Sequence, residues 1–213
     1  ERKFKNEHGP FNIGLVAIGA ALLLFGWYGF NSGGTIAAAD IAAIVFTNTG
    51  VAAAVGMIVW IIVYSLHAKK ASFLEAIVGA VAGLATITPA SGYVTPISAV
   101  IIGAIGAFIC FFCVEFERKM WDDALDVHGM GGLIGTLLIG VFADPRINGI
   151  NAGVKQFFIQ LLGCVIIGIY SILMTFLIFK IIDMVKSIKV SEEIQARGLD
   201  KEFFNEKYET KHE

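Results

Sequence analysis

Charge is what this chain of 213 residues has least of: 16 % are Asp, Glu, Lys or Arg, while 56 % are hydrophobic. A soluble domain carries about 25 % charged residues, and the mean hydropathy here is +0.75. Proline is scarce too, with 4 residues, so few points break a helix from within. The 3 cysteines, Cys110, Cys113 and Cys164, all fall in apolar stretches and imply no disulfide framework. Cys110 and Cys113 have C-x-x-C spacing, but on an apolar helix such a pair reads as packing rather than redox or metal chemistry. The net charge of −2 carries no message about nucleic acid, and no basic patch interrupts the apolar stretches. No nucleophile–base pair, metal-ligand cluster or phosphate-cradling loop stands out, so no enzyme, cofactor or metal is expected. The chain starts at Glu1 with a polar dozen residues, which predicts no signal peptide and reads like a chain entered in its middle.

What is there is a series of uncharged runs: Phe11–Ala39, Ile41–Leu66, Ala76–Val114, Val127–Ala143 and Gln156–Phe179. A membrane-crossing helix needs ~20 mostly apolar residues. The run of 39 residues from Ala76 must hold two helices, with Thr88-Pro89-Ala90-Ser91-Gly92-Tyr93-Val94-Thr95-Pro96 as the break. The expectation is an all-α integral membrane chain with six spans, near 12–31, 37–64, 73–90, 95–114, 126–143 and 154–183. Ser72 and Glu75 have capping-box spacing at the start of the third. Residues 1–11 form a polar loop and 184–213 a polar tail. With six spans, one side of the membrane holds all Lys and Arg except Arg146 and Lys155, with Lys180 near its boundary. The positive-inside rule makes that side cytoplasmic and predicts a multi-pass protein of the cytoplasmic membrane with a cytosolic C-terminus.

Glycine is frequent, at 24, and much of it is intramembrane. Gly79-x-x-x-Gly83 and Gly131-x-x-x-Gly135 are small-residue faces that allow helices to approach closely. They read first as packing; glycines lining a narrow conduit are the alternative, and one bundle can use both.

Three places could carry chemistry. His128 stands just inside an uncharged run, and an intramembrane ionisable residue points to function by default. A neutral imidazole has one donor and one acceptor nitrogen, which suits a small hydrogen-bonding solute or a proton better than a fixed cation. A histidine satisfied by a nearby carbonyl or carboxylate is the plainer reading. In Gly26-Trp27-Tyr28-Gly29-Phe30-Asn31, Trp27 and Phe30 are three apart and face one way on a helix. They are either an interfacial aromatic belt or a cage for a small cation. Asp126, at the cytoplasmic end of the fifth span, fits a helix cap.

The stretches GWYGFNSGG, AAADIAAIVFTNT, EAIVGAVAGLATITPASGYV, WDDALDVHGMGGLIGTLLIGVFA and VSEEIQARGLD together resemble the ammonium transporter (Amt/Mep/Rh) family. The resemblance covers nearly the whole chain and implies the second part of an eleven-helix, inverted-repeat fold, helices six to eleven. It implies a homotrimer of membrane-embedded subunits, each with a narrow hydrophobic pore. Phe30 would be one of the stacked gating phenylalanines, Trp27 a tryptophan of the outer ammonium-recruiting vestibule, and His128 one of two pore histidines sharing a hydrogen bond. Asp126 would be the aspartate near the pore's cytoplasmic entrance, and the tail would pack across subunits and work with a PII-type regulatory protein. The partner histidine, the other gating phenylalanine and the vestibule aspartate would belong to a missing N-terminal half. Two departures stand out. Family members carry three more residues between the positions of Asp126 and His128, a difference worth ~4.5 Å and ~60° on an α-helix. Gly34 stands where many members have a serine. The function expected is ammonium or ammonia transport; a non-conducting ammonium sensor and a neutral-solute channel are the alternatives.

Overall fold

The computed structural model describes residues 12–117 and 125–206. Among the described residues the regular structure is helical: α1 (Ile13–Gly33), α2 (Asp40–Ala68), α3 (Phe73–Ile87), α4 (Pro96–Glu117), a π-helical segment (Leu125–Met130), α5 (Gly131–Phe142), α6 (Pro145–Asn148), α7 (Val154–Val185), α8 (Glu192–Arg197) and α9 (Leu199–Phe204). Four of these, α1, α2, α4 and α7, are long and apolar enough to cross a membrane; Phe73–Ile87 and Val127–Phe142 are shorter apolar helices. The described residues fall in two compact units, one formed by Ile13–Cys164 and the other holding 165–206.

The first unit is organised around α3, which packs on both α2 and α4 and also receives α5. Its sequence explains this: α3 is rich in Ala and Gly, so neighbouring backbones can come close. At Gly83 a Cβ would collide with the carbonyl of Ala52 on α2, and at Gly135 of α5 with the carbonyl of Thr86 on α3. Both paired-glycine faces are therefore contact faces between helices. Ser72 opens α3 as an N-cap, its hydroxyl accepting from the amide of Glu75 at 3.4 Å. The reciprocal half of a capping box is replaced: the buried Glu75 carboxylate reaches across to the indole N–H of Trp60 on α2, 2.8 Å away.

The break after α3 falls where two prolines and a glycine predict it. α3 ends at Ile87, the chain turns through hydrogen bonds from Ala90 N to Ile87 O and from Tyr93 N to Ala90 O, and Pro96 opens α4. Proline suits that position because the first helical N–H has no intrahelical partner. The carbonyls freed by the turn need donors. The fully buried amide of Asn48 supplies two, to Ser91 O at 2.8 Å and Val94 O at 2.7 Å. Ala52, Ile87, Ala90, Val94, Ala99, Ile102, Ile139 and Ala143 form a core here. A second core gathers Trp60, Ala82, Ala85, Ala107, Cys110, Phe111, Val114 and Val127, with Trp27 and Met130 packed against it.

The fifth span departs from expectation at its start, where Leu125–Met130 winds as a π-helix before α5 begins. The α-helical offset expected between Asp126 and His128 does not apply to this wider winding, whose hydrogen bonds run i to i+5. The Cys110 thiol donates to the Val127 carbonyl at 3.9 Å and holds the π segment against α4. Cys110 thus packs, as its place on an apolar helix predicts, and all three cysteines are free thiols.

In the second unit, Asp183 accepts from the amide of Ile188 at 3.1 Å, turning the chain after α7, and Lys180 lies over the Phe176 ring. The polar tail is not wholly irregular. Ser191 N-caps α8 through its hydroxyl, and Gly198, at φ 90°, separates α8 from α9.

Candidate functional site

His128 and Trp27 come together although 101 residues separate them. Their rings stack with centroids 5.9 Å apart and planes 19° from parallel. Three elements make this meeting. α1 presents the indole, the π segment presents the imidazole, and the end of α3 lies beside both. Val127 is 4 % exposed and anchors the π segment in the second core, which leaves the next residue, His128, on an exposed face. π-helical turns recur at functional sites because the extra residue re-aims neighbouring side chains.

The indole is fixed at its other end. Its N–H donates to the Thr88 hydroxyl at 2.7 Å, and that hydroxyl donates to Leu84 O at 2.7 Å. Trp27 is half-buried in this position. The sequence pattern groups Trp27 with Phe30, but the structure places the indole beside His128 and Thr88, while Phe30 is 71 % exposed. The indole thus lies with the histidine and Thr88 rather than with Phe30.

Next to the site the bundle carries polar groups that sequence reasoning did not single out. Asn31 donates to the Thr49 hydroxyl at 3.0 Å, and Thr49 donates to Val45 O at 2.7 Å. Asn48, Thr86 and Thr88 are likewise small polar side chains inside apolar helices, and each donates to a backbone carbonyl, while the buried Asn48 Oδ1 accepts from no neighbour among the described residues. Their signal was visible as polar residues within uncharged runs, and their use is to hold helices in register without a charge. On the same face of α1, Tyr28 stacks on Phe46 of α2 at 4.2 Å. An apolar hollow of about 620 Å³ opens there between Leu24, Phe25, Tyr28, Ser32 and Phe46.

Asp126 lies on the π segment, but its side chain is outside the described residues, as are Asp122 and Asp123. The expected cap at that carboxylate is not described. At the other end of α5, Asp144 caps α6, accepting from the Arg146 amide at 2.9 Å and pairing with its guanidinium. Among the described residues no three His, Cys, Asp or Glu side chains gather as a metal site would require.

The arrangement can do one thing well. It presents an imidazole on an exposed face with an indole stacked beside it, which offers hydrogen bonding to a small solute.

Known proteins resemble this chain over most of its length. The model of the Ammonium Transporter Family matches residues 1–208. The ammonium transporter of Bacillus subtilis is 37 % identical over 220 residues, covering 97 % of this chain and 54 % of that protein. The crystal structure of Candida albicans Mep2 superposes with a TM-score of 0.80 at 33 % identity, over 87 % of this chain and 44 % of Mep2. A structure described as Sensor Amt Protein gives the same TM-score of 0.80 at 33 % identity, over 89 % of this chain and 48 % of that one. The chain thus spans about half the length of the relatives it matches. Six apolar helices, the Mep2-like fold and the family match agree: this is a membrane protein, and the chain belongs to the ammonium transporter family.

Proposed function

We propose that the protein of which this chain is a part moves ammonium across the cytoplasmic membrane, as ammonia with the proton handled separately. In this reading the chain contributes one wall of the pore. The observation that carries it is the stacked Trp27–His128 pair, with His128 exposed among apolar helices. An ion at the centre of a bilayer costs from ~2.5 to over 10 kcal/mol, depending on the reference. A passage lined by apolar groups and imidazole therefore favours shedding the proton at the entrance. Ammonia, a donor and an acceptor at once, can then pass between hydrogen-bonding nitrogens. Potassium has no proton to lose.

Within this reading Phe30 gates the outer side, Trp27 and His128 contact the solute, and Asp126 stands near the cytoplasmic entrance. The remaining length of the protein supplies the opposite wall, three copies assemble, and both 1–11 and the tail from 184 face the cytosol. α8 and α9 then offer a place for a PII-type regulator. A second reading has support in the likeness to Sensor Amt Protein: ammonium is bound but not conducted.

The test is uptake of labelled methylammonium by the full-length protein in vesicles. Wild type is expected to take it up, and His128→Ala to lose either the rate or the discrimination against potassium. Unchanged rate and discrimination in His128→Ala would overturn the pore role of His128. Binding without uptake in the wild type would favour the sensor.

A further inference from the structure

Thr88 is the last residue held by α3, and its hydroxyl sits at the junction of two hydrogen bonds. A threonine hydroxyl has one proton and two lone pairs. Its proton is committed to Leu84 O at 2.7 Å, the carbonyl one turn back, so towards Trp27 it can only accept. An indole N–H can only donate. The polarity of the 2.7 Å contact between them is therefore settled by chemistry. The corner that carries Thr88 is itself fixed. Its amide bonds Leu84 O at 3.1 Å, its carbonyl accepts from the Ser91 hydroxyl at 3.2 Å, and the Asn48 amide holds Ser91 O and Val94 O.

We propose that Thr88 is a positioning residue for the Trp27–His128 pair: by engaging the indole N–H it makes Trp27 present a π face, and no donor, to the imidazole. The transport consequence rests on the function proposed above; the geometric content stands on the hydrogen bonds alone.

Two effects follow. The indole plane is held near parallel to the imidazole, so the gap between α1 and the π segment keeps one width. The only strong donor on the indole is also removed from the path. A freed N–H would compete with the solute for the acceptor nitrogen of His128, or hold the solute itself. Either event slows passage without any change in the apolar lining.

The test uses the full-length protein. Thr88→Val keeps the shape and removes the acceptor, while Thr88→Ser keeps the acceptor. Losing one such hydrogen bond corresponds to about a five-fold change. Thr88→Val is expected to lower methylammonium uptake by about that factor and Thr88→Ser to stay within about two-fold of wild type. In a Trp27→Phe background, which has no N–H, Thr88→Val should add nothing. The Trp27 indole NMR resonance should move in Thr88→Val and remain in Thr88→Ser. In the wild type, that N–H should exchange slowly with solvent, a measurement that needs no variant. The assignment falls if Thr88→Val matches wild type in uptake, if its loss persists in Trp27→Phe, or if the wild-type indole N–H exchanges as freely as a solvated one. Should the wild type move no methylammonium, the transport reading fails, and the indole resonance and exchange decide the Thr88 assignment by themselves.

Discussion

Helices α4 and α7 are about equally apolar, yet 44 % of the most apolar window of α4 is buried within the structure and none of that of α7. Glycine marks the difference. Gly103 and Gly106 of α4 lie directly on Ala52 and Thr86, whereas Gly163, where α7 still belongs to the same unit, has no neighbour where a Cβ would go. Hydropathy tells that a helix belongs in a membrane. Which helices touch is told by small residues placed where backbones meet, because lipid competes with any merely apolar surface. The sharpest way to break this comparison is a matched pair of substitutions. Gly135→Leu forces a side chain into the Thr86 carbonyl, and overpacking of that kind costs about 3 kcal/mol or more. It should abolish recovery of folded full-length protein in mild detergent, whereas Gly163→Leu should leave recovery and thermal midpoint at wild-type values. Equal outcomes for the two would dissolve the distinction.

Polar ties sharpen it at a smaller scale. In the packed block the Trp60 indole, which is 0 % exposed, donates to a Glu75 carboxylate that is 8 % exposed. On α7 the corresponding polar contact is Lys180 over Phe176, on an exposed helix. A hydrogen bond to a carboxylate contributes about 1.5–3 kcal/mol, while an exposed cation–π contact contributes about 0.5–1 kcal/mol. Trp60→Phe is therefore expected to lower the unfolding free energy of the full-length protein by about 2 kcal/mol, and Lys180→Met to change it by less than half as much. Denaturation followed by circular dichroism would compare them, and a larger loss in Lys180→Met would reverse the ranking.

How much of this was legible beforehand follows from the same distinction. The helical class, the break between α3 and α4 and the Ser72 cap rest on composition, proline and local spacing, and each stands where local chemistry puts it. The partner of Trp27 does not rest on local chemistry. Helical spacing puts Trp27 and Phe30 on one side of α1, but only packing decides that the indole meets Thr88 and His128, 61 and 101 residues further on. The π winding at Leu125–Met130 was equally hidden, since no residue type signals it and an α-helix is the default for such a run. Glu75 shows the intermediate case. Its spacing from Ser72 fits a capping box, and the backbone half forms, but the side chain finds a stronger buried donor in Trp60.

The smallest effect is expected at the rim of the packed block, where Asp144 and Arg146 pair beside α6. The Arg146 side chain, through its own hydrogen bonds and then through its backbone amide and charge, lowers the Asp144 pKa from 3.8 to about 2. Asp144 in turn raises that of Arg146. A carboxylate whose folded pKa is depressed adds stability above its unfolded pKa and loses it as pH falls through the folded one. The contribution is thus complete above about pH 4 and gone below about pH 2. Because the Arg146 side chain is 83 % exposed, solvent and salt screen the pair. The Asp144 amide also holds Tyr93 O at 2.8 Å through backbone alone, so the loop keeps its anchor to the break between α3 and α4 without the ion pair. Arg146→Ala should return the Asp144 carboxyl titration toward its ordinary value, read by carbon NMR, while the thermal midpoint at neutral pH stays within error of wild type. A large fall in that midpoint would mean that the rim pair, and not the glycine contacts beneath it, holds α5 in place.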